Sequence, residues 1–167
     1  PVLLDFARLH PQIQLDVSFN DRMANLVHEG FDLAIRIGQV PDSSLVARKL
    51  CETRMVLVAS PGYLTMHPPP RQPADLLAHD CIIDTNSRDA HSWRFKDGEV
   101  HALNGRLAFS NADACLAAAE AGVGIAPVPS FVAGPLLREG RVIRVLPDYE
   151  APGLPVHAVY PPARHLA

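Results

Sequence analysis

Eight histidines and three cysteines could in principle hold a metal, but their spacing points away from it. His10, His28, His67, His79, His91, His101, His157 and His165 form no H-E-x-x-H string and no short pairing with Cys51, Cys81 or Cys115. Such pairings are what place two ligands on one helix face or in one tight loop, so no metal is expected. A nucleophilic serine would stand on a sharp G-x-S-x-G elbow, and no such string occurs. Ser60, Ser87, Ser110 and Ser130 lie in turn-like contexts, where a hydroxyl usually satisfies nearby backbone. Asp32, Asp84 and Asp113 fall on different elements, which leaves no marked acid/base pair. Gly122-Val-Gly-Ile-Ala-Pro127 imitates a dinucleotide fingerprint. It follows a helical stretch and opens an apolar one, however, reversing the strand-to-helix order that brings a pyrophosphate to a helix N-terminus. Neither catalysis nor a cofactor is expected.

With 15 Lys and Arg against 18 Asp and Glu, the formal charge is -3. The basic residues are scattered, Arg48-Lys49 being the only adjacent pair, so no cationic footprint for a phosphate backbone is present. The cysteines are odd in number and set in apolar or Ala-rich stretches, as buried thiols in a reducing cytosol are. No run approaches the roughly 18 apolar residues of a membrane span, and no basic-then-apolar leader opens the chain. A cytoplasmic protein without a membrane contact is expected.

The elements that must position any site follow from periodicity. Val2, Leu3, Phe6 and Leu9 have helical spacing with no cap before them, so the chain is expected to begin inside or just before a helix, which His10-Pro11 stops. Ile13 to Phe19 alternates apolar and polar residues and predicts a strand. Asn20 or Asp21 caps a helix carrying Met23, Leu26 and Val27, Gly30 ends it, and Phe31 to Ile37 predicts a second strand closed by Gly38. Strand, helix and strand in so short a span imply a parallel βαβ unit and an α/β class. Leu45 to Ala59 reads as a strand, a polar bend over residues 48 to 54, and the strand Met55 to Ala59. The run from Ser60 to Pro73, with five prolines, marks a boundary. Beyond it come a short strand Cys81 to Asp84, a polar turn through Asn86 to Asp89, and strands near Ser92 to Phe95 and Leu103 to Phe109, with a turn at Lys96-Asp97-Gly98. Asn111 caps the clearest helix, Ala112 to Ala121, with Gly122 at its end. A strand at Val123 to Pro127, turns and a weak helix from Pro129 to Glu139, and strands Val142 to Leu146 and Pro155 to Tyr160 complete the chain. A second proline and glycine cluster, Pro147 to Gly153, brackets the middle part.

Six strings in this order resemble the effector domain of LysR-type transcriptional regulators, across nearly the whole chain. They are Phe6-Ala-Arg-Leu-His-Pro11; Asp21-Arg22 with Leu26-Val-His-Glu-Gly-Phe-Asp-Leu-Ala-Ile-Arg-Ile-Gly38; Pro41-Asp-Ser-Ser-Leu-Val-Ala-Arg-Lys-Leu50; Val58-Ala-Ser-Pro-Gly-Tyr-Leu64; Ser110-Asn111 with Ala117 to Pro127; and Leu154-Pro-Val-His-Ala-Val-Tyr-Pro161. The resemblance implies a fold like periplasmic type 2 solute-binding proteins, with two Rossmann-like lobes, two crossover strands and an effector cleft between them. It implies a first lobe of residues 1–63 and 149–167, incomplete at both ends, and a second lobe of 64–148. A winged helix-turn-helix and a linker helix precede this region in full-length members of the family. DNA contact is therefore expected only through that separate domain.

In such a fold, ligands lie beyond the carboxyl ends of strands, where helix N-termini carrying roughly half a positive charge favour anions. Carried onto this sequence, the implied cleft positions are Asn20 and Asp21, Arg36, Ile37 and Gly38, Asn86 and Ser87, and Asn111 and Ala112. Val128 and Pro129 are implied as an apolar wall. The implied partners are a small-molecule effector, an organic anion by this argument, and further copies in a homodimer or tetramer, for which Val2, Leu3 and Phe6 are suitable contacts. A stand-alone solute-binding protein, or an enzyme on the same two-lobed fold, is the alternative.

Overall fold

The computed structural model describes residues 2–19, 26–40, 44–87 and 89–162. Helix α1 (Val2–Leu9) leads to α2 (Leu26–Glu29) and β1 (Ala34–Ile37), followed by β2 (Val46–Thr53), β3 (Met55–Ala59) and α3 (Pro61–Met66). Then come β4 (Ile82–Asp84), β5 (Ser92–Arg94), β6 (Val100–Ala102), β7 (Leu107–Phe109), α4 (Ala112–Glu120), β8 (Ala126–Pro129), α5 (Ser130–Arg138), β9 (Ile143–Val145) and β10 (Leu154–Tyr160). Two 3₁₀ turns, Pro73–Ala78 and Pro147–Tyr149, punctuate this order.

The larger sheet is built on β3, an unbroken apolar run of the kind buried on both faces. β3 lies antiparallel between β8 and β9, and the parallel bridge Cys81–Ile125 extends the sheet to β4 and β7, giving the order β7-β4-β8-β3-β9. Because successive side chains alternate faces, Val56 and Val58 join α4 and α5 in one core with Ile82, Leu116 and Val128. Leu57 and Ala59 join the opposite core with Tyr63, Leu76, Trp93, Phe95 and Leu146. The smaller sheet has the order β1-β10-β2 and is antiparallel throughout.

Several expectations change here. The strand at Ile13 to Phe19 does not form, and residues 14–19 carry no regular structure. Alternation alone makes no strand: Ile13, Leu15, Val17 and Phe19 are exposed, and among the described residues no strand pairs with this segment. β1 accordingly pairs with β10, antiparallel, instead of forming a parallel βαβ unit. The polar residues 48–53 continue β2 rather than bend it, since that strand is exposed along nearly its whole length and tolerates charge, and the break falls at Arg54. The expected strand at Leu103 to Phe109 divides into β6, which closes the hairpin with β5, and β7, which joins the larger sheet. Between them Gly105 passes so close to Cys81 that a Cβ would stand 2.4 Å from its carbonyl oxygen. β8 starts at Ala126, later than expected, and holds two prolines. Pro127 and Pro129 alternate with Ala126 and Val128, so the missing N–H groups share one edge of the strand. The weak helix is the nine-residue α5. β3 stands in the larger sheet, and Tyr63 of α3 is buried in the core on one of its faces.

The Gly122-Val-Gly124 string has a local explanation. Gly122 adopts φ +79° just beyond α4, a left-handed helix end that glycine accepts without strain. At Gly124 a Cβ would stand 2.2 Å from the Asp80 carbonyl oxygen, where the chain enters the Cys81–Ile125 bridge.

Candidate effector site

The parallel strands β4 and β7 end at Asp84 and Phe109, paired side by side, and Thr85 continues the register by donating its N–H to the Phe109 carbonyl at 2.9 Å. The Asp84 carboxylate folds the next loop back by accepting the Asn86 N–H at 3.0 Å, and Ser87 N–H reaches the Asp84 carbonyl at 3.2 Å. Asn111 follows β7 and caps α4, its side-chain oxygen accepting the Ala114 N–H at 3.0 Å. At the same end of the sheet the chain crosses between the two sheets. Ser130 N–H donates to the Arg54 carbonyl at 2.8 Å, and its hydroxyl lies 3.3 Å from the Thr53 hydroxyl. The return crossing runs beside it, Leu154 pairing with Thr53.

A hollow of about 250 Å³ opens at this end. Met55 and Leu57 of β3, Pro127 of β8, Asp84 and Ser87, the β5 residues Ser92, Trp93 and Arg94, and Leu146 with Glu150, Ala151, Pro152 and Leu154 of the return crossing line it. Its wall is mainly apolar, and its charges are not equivalent. Glu150 is paired to Arg144, whose Nε–H donates to Glu150 Oε1 at 3.0 Å. Asp84 has no ion-pair partner among the described residues. Arg94 is drawn toward the hairpin turn, its Nη1 3.5 Å from the Gly98 carbonyl. Trp93 is 8% exposed as a whole and presents its ring to the hollow. Leu146 takes φ +53°, a left-handed conformation that is uncommon for leucine, with its side chain buried at 5% exposure.

Of the residues implied for the cleft, the structure brings Ser87 to the hollow, with Asn86 and Asn111 at the same sheet end. Ala112 begins α4 beside them. Arg36 and Ile37 lie on β1, opposite His157 and Val156, and Gly38 with φ +95° donates to the Pro155 carbonyl at 2.8 Å. None of these three lines the hollow. Val128 points into the α4–α5 core, Pro129 pairs with Met55, and the neighbouring Pro127 lines the hollow. Asn20 and Asp21 lie outside the described residues. Sequence reasoning missed Trp93, Leu57, Leu146 and the return crossing. Trp93, as the sole tryptophan, was the one available signal.

A larger hollow, about 650 Å³, lies at the opposite end of α4, between Ser60, Tyr63, His67, Glu120, Gly122 and Arg141. It faces the carboxyl end of that helix, and the Arg141–Glu120 ion pair lies within its lining. No group of three or more His, Cys, Asp or Glu residues able to hold a metal occurs among the described residues. Burial pushes the Cys81 thiol up to about 12, so it is not poised as a nucleophile. Among the described residues, no helix is long and apolar enough to cross a membrane.

An open α/β sheet, joined through paired crossings to a second sheet, with a lined hollow at the strand ends, has the layout of a ligand-binding domain. The family described as LysR substrate binding domain matches residues 1–167, and the chain belongs to that family. It is 37% identical over 169 residues to an uncharacterized HTH-type transcriptional regulator of Haemophilus influenzae, covering 99% of this chain and 59% of that protein. It is 36% identical to the HTH-type transcriptional regulator PtxR of Pseudomonas aeruginosa, covering 96% and 53%. The chain thus spans little more than half the length of these relatives. Among solved structures, the regulatory domain of CrgA, a LysR-type transcriptional regulator from Neisseria meningitidis, superposes with a TM-score of 0.83 at 27% identity, covering 96% of this chain and 80% of that one. The effector domain of AmpR from Pseudomonas aeruginosa gives 0.77 at 26% identity, covering 99% and 79%. The fold is therefore the two-lobed α/β fold of LysR regulatory domains, resembling periplasmic type 2 binding proteins. The relatives are transcriptional regulators, not enzymes. This chain is an effector-binding regulatory domain of that class.

Proposed function

We propose that the domain senses its effector in the 250 Å³ hollow beside the paired crossings, and that occupancy biases how a separate DNA-reading domain of the longer cytoplasmic protein is presented. One observation carries this reading. The hollow is lined both by the larger sheet and by Glu150, Ala151, Pro152 and Leu154 of the return crossing, so a bound molecule touches the segment that sets one sheet against the other. The energy available to the switch is the difference in affinity between the two arrangements. The net charge of -3 and scattered basic residues support leaving DNA contact to the other domain. A homodimeric or tetrameric assembly fits the apolar side chains exposed on α1 and β1.

The anionic class expected from helix dipoles has less support than a lined apolar site. Asn111 already turns its own oxygen to the amino end of α4, and Asp84 brings a carboxylate without an ion-pair partner among the described residues to the hollow. Calorimetric titration with a panel of small carboxylates, phosphates and uncharged ring compounds tests the location. Ala90 lines the hollow, and Ala90→Leu should fill it. A ligand of the wild type should lose at least tenfold in affinity, while the thermal midpoint stays within a few degrees. Undiminished binding to a folded Ala90→Leu protein would place the effector elsewhere.

A further inference from the structure

We propose that the hollow takes a small uncharged or cationic ring compound bearing a hydroxyl or amino group, and rejects carboxylates of the same size. The inference rests on the hollow being the effector site and concerns the chemistry of its occupant. Trp93 supplies the first half of the argument. Its ring stands in the wall of the cavity, and its indole N–H makes no hydrogen bond to the described residues, so it is a donor that a ligand can meet there. It therefore asks the ligand for an oxygen or another acceptor.

Asp84 supplies the second half. One of its oxygens accepts the Asn86 N–H, and no cation pairs with the group among the described residues, so it presents an acceptor and a negative charge to the hollow. A ligand hydroxyl or ammonium satisfies that acceptor, whereas a ligand carboxylate meets like charge. Glu150 adds no attraction for a cation, being neutralised by Arg144. Arg94, the remaining cation in the lining, is drawn toward the Gly98 carbonyl. The wall of Met55, Leu57, Pro127 and Leu146 wants an apolar body. A volume of about 250 Å³ lies below the roughly 300–1,000 Å³ typical of drug-sized ligands, which suits a single ring.

Trp93 is the only tryptophan, so its fluorescence reports on this wall alone. Benzyl alcohol, benzylammonium and benzoate share a ring and differ in charge. Titrated into the intact domain, the first two should change Trp93 emission saturably, with benzoate at least tenfold weaker. Asp84→Asn should narrow the gap between benzylammonium and benzoate. Trp93→Phe keeps a ring but loses the donor, and should weaken benzyl alcohol about tenfold when binding is followed by thermal shift. Benzoate binding as tightly as benzyl alcohol, with saturable Trp93 quenching, would overturn the ligand class and leave the site standing. Stabilisation by any probe without a change in Trp93 emission would instead overturn the site itself. Silence from all three probes in both measurements would overturn the proposed class.

Discussion

Asn111 is a helix cap whose location, next to Phe109 at the end of β7, makes it look like a ligand contact. Because its oxygen accepts the Ala114 N–H at 3.0 Å, Asn111→Ala should cost about 1 kcal/mol of stability. Asn111→Asp should change it by only a few tenths of that, aspartate capping about as well. Chemical denaturation of the two variants checks both numbers. Gly124 is constrained by space rather than by φ. A methyl there meets the Asp80 carbonyl oxygen at 2.2 Å, so Gly124→Ala should destabilise by about 1–3 kcal/mol or more, as overpacking of a tight backbone approach does. A melting curve coincident with wild type would contradict that. These residues differ in how far the sequence announced them. The Asn111 cap was legible because a cap is local: an asparagine before an Ala-rich run. The close approach at Gly124 was not, since Asp80 lies 44 positions away (124 − 80) and nothing in the string names it.

Among the elements, the junction of α3 with the chain entering β4 should respond to pH. The Tyr63 hydroxyl accepts the Asp80 N–H at 3.1 Å and lies within hydrogen-bond reach of His79 Nδ1, at 3.1 Å. Burial, and then the neighbouring His67 ring, hold the His79 pKa below its ordinary 6.5, against opposing contributions from Asp75 and the Pro68 backbone. Burial likewise raises Tyr63. The unfolded chain therefore takes up a proton at higher pH than the folded one. This contribution to stability is complete above about pH 6.5 and is lost as pH falls through the depressed folded value. Melts from pH 8 downward should fall below about 6.5, and fall less in His79→Gln, where that proton uptake is gone. Identical pH profiles would contradict the role given to His79. At this scale β3 and α4 were plain in the sequence, one from its unbroken apolar run and the other from alanines, cap and terminal glycine. Ile13 to Phe19 has an equally clear period-2 pattern and still forms no strand. Pattern specifies which face would be buried, whereas a neighbour must supply the backbone partners. Trp93 of β5, Leu57 of β3 and Leu146 just after β9 converge on the hollow from distant parts of the chain, so no spacing along it could reveal them.

For the molecule as a whole, the unequal sheets matter. β3 is almost wholly buried, whereas β1 shows Ile35 at 58% and Ile37 at 43% exposure, with Val2, Leu3 and Leu9 exposed on α1. Apolar faces of that kind mark association surfaces. Light scattering should give a mass above the monomer that rises with concentration, and Leu3→Asp should lower it. A wild-type mass fixed at that of one chain throughout would contradict self-association through these faces. The central claim is that effector occupancy is read between the larger sheet and the return crossing, and the single indole N–H of Trp93 offers the most direct test. In nitrogen–proton correlation spectra it should give one side-chain resonance. A ligand that calorimetry shows to bind should move that resonance saturably, with the same dissociation constant, together with the backbone amides of Glu150 and Ala151. A calorimetrically confirmed ligand that leaves the Trp93 indole and those amides unmoved would contradict it.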